Sequence, residues 1–201
     1  MTDRSDLEFT LTRSQALGFL GPGPIGAQID HALRFAEACP GPPPGRALDL
    51  GAGGGLPGLV LALAWPDSYW VYLDANERRT AFLGEASVLL GLRDRVEVRR
   101  GRAEDLGHDP TLRATFDLVT ARSFGPPAVT AECASPLLVA GGTLLVSEPP
   151  EDADRWDEPG LAQLGLTRGP RQSGCQVLIQ TTVCPDRFPR RVGIPGKRPL
   201  F

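Results

Sequence analysis

Short apolar runs alternate along this chain with longer stretches whose apolar positions recur at helical spacing, and from Arg46 onward the alternation is regular. ALDL (47–50) predicts a first strand and 56–64 the helix that follows it. WVYLD (70–74) predicts a second strand, and 77–90, with Phe82, Leu83, Ala86, Leu89 and Leu90 apolar, a second helix. VEVRR (96–100), FDLVTA (116–121) and GTLLVS (142–147) predict three more strands, with a helix over 129–139 before the last of them. QVLIQTTV (176–183) predicts a further strand, and the acidic EPPEDADRWDEPG (148–160) a loop or cap. Strands separated by helices imply an α/β fold whose sheet is mostly parallel, because parallel neighbours need crossover connections.

Before residue 46 the pattern is weaker. GFLGPGPIG (18–26) and CPGPPPG (39–45) bracket one helical stretch, 28–38, with Ile29, Leu33 and Ala36 near one face. The prolines of 39–45 cannot continue a helix and form a stiff connector. Residues 1–45 are therefore expected to be a short helical extension, and 46–201 a single domain, the usual number for 201 residues.

Composition narrows the function. With 41% hydrophobic and 22% charged residues the chain reads as a soluble globular protein, and no run of about 18 apolar residues offers a membrane span. Charges from Asp3 to Arg13 interrupt any export signal, so a cytoplasmic location is expected. Cys39, Cys133, Cys175 and Cys184 lie far apart with only two histidines to help, so no metal site is expected. The net charge of −3 argues against indiscriminate binding to nucleic acid. The exception is RFPRRVGIPGKRPLF (187–201), where Arg187, Arg190, Arg191, Lys197 and Arg198 occur with no acid. Such a tail either follows a phosphate backbone by releasing counterions or is simply a solvated terminus.

The most distinctive stretch is LDLGAGGGLPG (48–58), an apolar strand end entering a glycine loop. A phosphate-cradling loop would need Lys followed by Ser or Thr, and neither is present. A dinucleotide fingerprint can be drawn through Gly53, Gly55 and Gly58 with Asp74 downstream, but its first glycine should follow the strand directly, as Gly51 does; counted from Gly51, Leu56 stands where the third glycine belongs. Glycines used only for a tight turn are the remaining alternative. Asp49, Gly51, Gly53 and Gly55, with Asp74 ending the next strand, resemble the motif of class I methyltransferases, which bind S-adenosylmethionine. That resemblance implies a Rossmann-like sheet with helices on both faces, Asp74 on the ribose hydroxyls, and Ala103 and Glu104 of GRAEDL (101–106) at the adenine.

Within that superfamily, Leu56-Pro57-Gly58 with the apolar helix and Pro66-Asp67 after it is similar to the bacterial glucose-inhibited division protein B family, as are LDANERRTAFL (73–83), TARSF (120–124) and PRRVGIPGKRPL (189–200). The resemblance implies methylation of guanine N7 in small-subunit ribosomal RNA by a monomeric enzyme, with cofactor contacts at Gly51, Leu56, Ala103, Glu104 and Arg122. Arg122 is the catalytic candidate, reaching cofactor carboxylate, guanine O6 or phosphate, unless it forms a structural salt bridge. Guanine N7 carries a lone pair and no proton, so alignment rather than a general base is required. The chain departs from the family twice: HALRFAEA (31–38) keeps only His31 of a His-x-x-x-Ser motif, and Glu148 stands where a lysine follows the fifth strand, an acid expected to repel RNA phosphate. A diverged methyltransferase with a small-molecule substrate and a non-catalytic cofactor-binding module are the alternatives. Removal of 187–201 should spare the activity of the former, and tight cofactor binding without transfer would mark the latter.

Overall fold

The computed structural model describes residues 4–150 and 154–201; Asp3 and positions 151–153 of the acidic stretch lie outside the described residues. Two helices open the chain, α1 (Arg4–Ala16) and α2 (Ile25–Ala38). There follow β1 (Arg46–Leu50), α3 (Gly58–Ala64), β2 (Tyr69–Asp74), α4 (Glu77–Leu89), β3 (Val96–Arg100), the short α5 (Ala103–Leu106), β4 (Phe116–Ala121) and α6 (Pro127–Ala134). The chain ends with β5 (Leu138–Ser147), α7 (Glu158–Gln163), β6 (Leu166–Gln172), β7 (Cys175–Gln180) and the one-turn α8 (Ile194–Lys197). The seven strands form one sheet in the order β3-β2-β1-β4-β5-β7-β6, parallel from β3 to β5, with β7 and β6 antiparallel at the edge.

Side-chain alternation along the central strands divides the core. Ala47, Trp70, Tyr72 and Leu118 face α1 to α4, packing with Leu11, Phe35, Leu59, Leu61 and Leu83. Leu48, Leu50, Val71, Leu73 and Val119 face the opposite way, onto Ala103, Ala131, Leu137 and Leu161. Helices therefore cover both faces, as strands apolar on both sides require. The N-terminal helices contribute Leu7, Leu11, Ile29 and Phe35 to the first face, and the C-terminal segment contributes Cys184, Phe188, Leu200 and Phe201 to the second.

Several elements differ from the sequence expectation. The expected helix over 129–139 ends at Ala134, passes through a 3-10 turn at Ser135–Leu137, and gives way to β5 at Leu138, four residues earlier than GTLLVS suggested. A register shift against β4, with Gly141 at φ 88°, had concealed the first part of that strand. β6 was not expected at all; its sequence, LTRGPRQ, places glycine and proline at an irregularity of the outermost strand, where a missing amide is tolerated. α1 escaped notice because polar Thr10 and Ser14 fill buried positions on it. α7 begins inside the stretch read as loop, capped by Asp157, whose carboxylate accepts from the Gly160 amide at 2.8 Å.

Two phenylalanines test this partition. Phe116 is fully buried under the sheet and Phe9 on α1 is 63% exposed. Phe116→Ala should cost about 3–5 kcal/mol and Phe9→Ala stay within about 0.5 kcal/mol, read as shifts of the denaturation midpoint at unchanged m-value.

Candidate functional site

The turn after β1 is built by two buried carboxylates. Asp49, 1% exposed, points from β1 beneath the loop; its Oδ2 accepts from the Gly58 amide at 2.9 Å and its Oδ1 from the Thr120 hydroxyl of β4 at 3.0 Å. Asp74, at the end of β2, accepts from the Gly53 amide through Oδ2 at 2.9 Å and from the Asn76 amide through Oδ1 at 2.8 Å. The loop is thus pinned from below and from the side. Gly51, Gly53 and Gly55 all adopt left-handed φ, at 71°, 53° and 99°. Gly58 is needed for a different reason: a Cβ there would stand 2.6 Å from Asp49 Oδ2 and 2.7 Å from Tyr72 Cε1.

Above the carboxyl ends of β1 to β4, at the point where strand order reverses, lies a crevice of about 330 Å³. Gly51, Asp74, Arg79, Ala103, Glu104 and Phe124 are among its walls. Arg79 Nη1 stands 3.8 Å from Asp74 Oδ2. Glu104 is 5% exposed, and its Oε1 accepts from the Gly193 amide at 3.0 Å and from Arg102 at 3.2 Å. Burial pushes its pKa up, but the Gly193 amide, its own amide and Arg102 outweigh burial and hold the carboxyl below its usual range. A smaller hollow of about 180 Å³ continues along the glycine loop, between Gly53, Leu56 and Arg122 on one side and Phe19 and Leu20 on the other.

A third cavity, about 400 Å³, opens beside the ends of β4 and β5, with His31, Arg122, Phe124, Glu148, Arg155 and Trp156 on its walls. Arg122 Nη1 and His31 Nδ1 are both buried without a hydrogen-bond partner. Burial draws the Arg122 guanidinium below its usual range, against the pull of Asp49. Burial, Arg122 and Arg34 likewise lower His31, which keeps the ring neutral near pH 7. Ser123, at φ 55°, borders all three spaces. The feared repulsion by Glu148 is not what its surroundings create. Its side chain is 3% exposed, accepts from the Trp156 indole at 3.1 Å and is paired with Arg155 at 3.2 Å, so a cation accompanies the acid.

Most of the sequence-derived set converges: Gly51, Asp74, Ala103 and Glu104 on the crevice, Gly53, Leu56 and Arg122 on the hollow. Asp49 borders none of the three spaces, and Gly55 packs instead against Leu59 and Leu83. Along the tail, Arg187, Arg191, Lys197 and Arg198 are exposed. Arg190 is committed elsewhere: its Nε and Nη2 reach the two oxygens of fully buried Glu132 at 2.8 and 2.6 Å. Phe19, Leu20, Arg79, Phe124 and Trp156 were missed. A lone tryptophan in an acidic stretch and a Phe-Leu pair between glycines were the available signals. No group of three or more His, Cys, Asp or Glu able to hold a metal occurs among the described residues.

This sheet order with a glycine turn after β1 defines a class I methyltransferase fold. Solved structures share it: cofactor-bound Rv0187 from MTB superposes with a TM-score of 0.62 at 21% identity, over 89% of this chain and 91% of that one. A methyltransferase from Geobacter sulfurreducens gives 0.61 at 14% identity, over 90% and 91%. The sequence is more specific: the profile of GidB, rRNA small subunit methyltransferase G, matches residues 30–158. Ribosomal RNA small subunit methyltransferase G of Prochlorococcus marinus is 39% identical over 169 residues, 78% of this chain and 68% of that protein. Its counterpart in Parasynechococcus marenigrum is 37% identical over 171 residues, 77% and 67% of the two chains. The chain belongs to the GidB family.

Asp49 carries a pH signature. Its pKa is pushed up to about 7, chiefly by burial and against Gly58, Thr120 and Arg122. An unfolded aspartate titrates near 4, so this group's contribution to stability is complete below about pH 4 and is lost as pH rises through about 7. Asp49→Asn, whose amide still fits Gly58 and Thr120, should gain stability relative to the native chain across that window and level off above it. Urea titrations at half-unit pH steps read the difference, and a pH-independent difference would contradict the assignment.

Proposed function

We propose that the chain transfers methyl from S-adenosylmethionine to N7 of a guanine in small-subunit ribosomal RNA. The observation that carries this reading is the convergence of a ribose-type acceptor, Asp74, an adenine-type acceptor, Glu104, and a glycine loop on one crevice, with a second cavity opening beside it at Arg122. Relatives named for this reaction support the choice of substrate.

The residues present fit the cofactor. Asp74 is 6% exposed and each of its oxygens accepts one described amide, leaving lone pairs for a ribose diol. Ala103 and Glu104 stand at the adenine end, and Gly51, Gly53 and Leu56 run along the amino-acid end. When bound, the cofactor supplies a methyl group on a cationic sulfur. Arg122 then faces either the cofactor's carboxylate or the base, with a buried donor still to be matched. Phe124 and Trp156 offer aromatic surface in the adjoining cavity to a base taken out of its stack. No group needs to remove a proton, since N7 attacks through its lone pair, so positioning and exclusion of water are the protein's tasks. No helix among the described residues is long and apolar enough to cross a membrane, in keeping with an enzyme of the cytoplasm, where ribosomes are substrate.

Transfer of labelled methyl to small ribosomal subunits, followed by mapping of 7-methylguanine, tests the reading; cofactor binding with no incorporation would overturn it. Asp74→Ala should weaken cofactor binding by about 1–3 kcal/mol. Replacing Arg191, Lys197 and Arg198 together by alanine should weaken RNA binding and flatten its salt dependence by about one slope unit for each phosphate left without a cation, with cofactor affinity unchanged.

A further inference from the structure

The basic tail does more than present charge. After β7 the chain doubles back along the outer side of α5 and α6, the two helices that wall the adenine end of the crevice. Arg113 clamps the returning segment through carbonyl oxygens, Nη1 donating to Gly107 and Phe188 and Nη2 to Cys184, each at 2.9 Å. The His108 ring is 2.7 Å from the Pro189 carbonyl oxygen, and a Cβ on Gly107 would stand 2.6 Å from the Pro189 ring. Arg190 then anchors to α6, its guanidinium forked onto Glu132 and its backbone amide donating to the same carboxylate at 2.8 Å. Three residues later the Gly193 amide donates to Glu104. Cys133, the neighbour of Glu132, and Glu104 both border the crevice.

Two donors, Gly193 and Arg102, therefore hold Oε1 of Glu104, and neither of them falls on Oε2. Fixing one carboxylate oxygen from behind fixes where the other points. A fixed, charged acceptor suits an exocyclic amine, which donates, and is mismatched to a ring carbonyl, which accepts. We propose that segment 187–198 braces the nucleoside site from behind α5 and α6, and that the Glu132–Arg190 pair positions it so that Glu104 selects a 6-aminopurine. This rests on the cofactor reading above. Glu132 and Arg190 are positioning residues, since neither borders the crevice.

The test is calorimetric and uses the full chain. S-adenosylhomocysteine and S-inosylhomocysteine, which differ by the 6-amino against a 6-oxo group, are titrated into the native protein, Glu132→Gln, and the double variant Glu132→Leu/Arg190→Leu. The double variant removes both partners together, so no lone charge is left buried if the single variant fails to fold. Thermal unfolding verifies each protein, and Arg191→Ala serves as a charge control outside the pair. The native chain should prefer the amino compound by roughly tenfold or more, the worth of one hydrogen bond to a charged acceptor. In the folded variants that ratio should collapse toward one, through loss of affinity for the amino compound alone. An unchanged ratio in a folded variant, or no preference in the native chain, would overturn the proposal. Failure of the native chain to bind either compound would instead overturn the cofactor reading itself.

Discussion

A carboxylate with no access to water holds this structure in working order. Asp49 ties together three pieces of chain: β1, which carries it, the neighbouring strand β4 through Thr120, and the start of α3 through Gly58. Because α3 begins at the end of the glycine loop, the height of that loop over the sheet is set from underneath, and Asp74 sets its lateral position through Gly53. The geometry available to a ligand is thereby inherited from two side chains of which only one can touch it. Burying an ionisable group without an ion pair is costly, and the raised pKa of Asp49 is the visible sign of that cost.

Legibility in the sequence followed burial. Strands β1, β2 and β4 are flanked on both sides, so they had to be apolar runs, and ALDL, WVYLD and FDLVTA announced them. The edge strand β6 needs one covered face at most, and Thr, Arg, Gly and Pro could occupy it without leaving a pattern. The site divided similarly. Gly51, Asp74 and Glu104 stand at or just after strand ends, where spacing marks them, and the fold brings them to one crevice. Phe19, Leu20 and Trp156 reach the cavities only through tertiary folding of weakly patterned segments, and an apolar residue standing out among glycines or acids is the one local mark they leave. Asp49 is expected at the site for its position in the motif, yet its oxygens are taken up by the Gly58 amide and the Thr120 hydroxyl; spacing cannot tell a ligand from a strut.

The tail illustrates how charge in a sequence misleads about roles. Five cations in fifteen residues read as one basic surface. In the fold they divide into an internal tie, Arg190 on Glu132, and four exposed groups, while Phe188, Leu200 and Phe201 between them belong to the core. Deleting 187–201 would therefore remove core packing and the Gly193 hydrogen bond to Glu104 together with the charges. Loss of activity on such a deletion would not separate an RNA substrate from a small one, whereas changing only exposed cations does.

Phe124 gives the site its internal layout. Its ring lies against Gly51, where any Cβ would be 2.7 Å from it, and it borders both the crevice and the cavity beside Arg122. Ser123 and Phe124 are common to both compartments. A bisubstrate inhibitor tethering a nucleoside to a purine would have to carry its linker past these two residues.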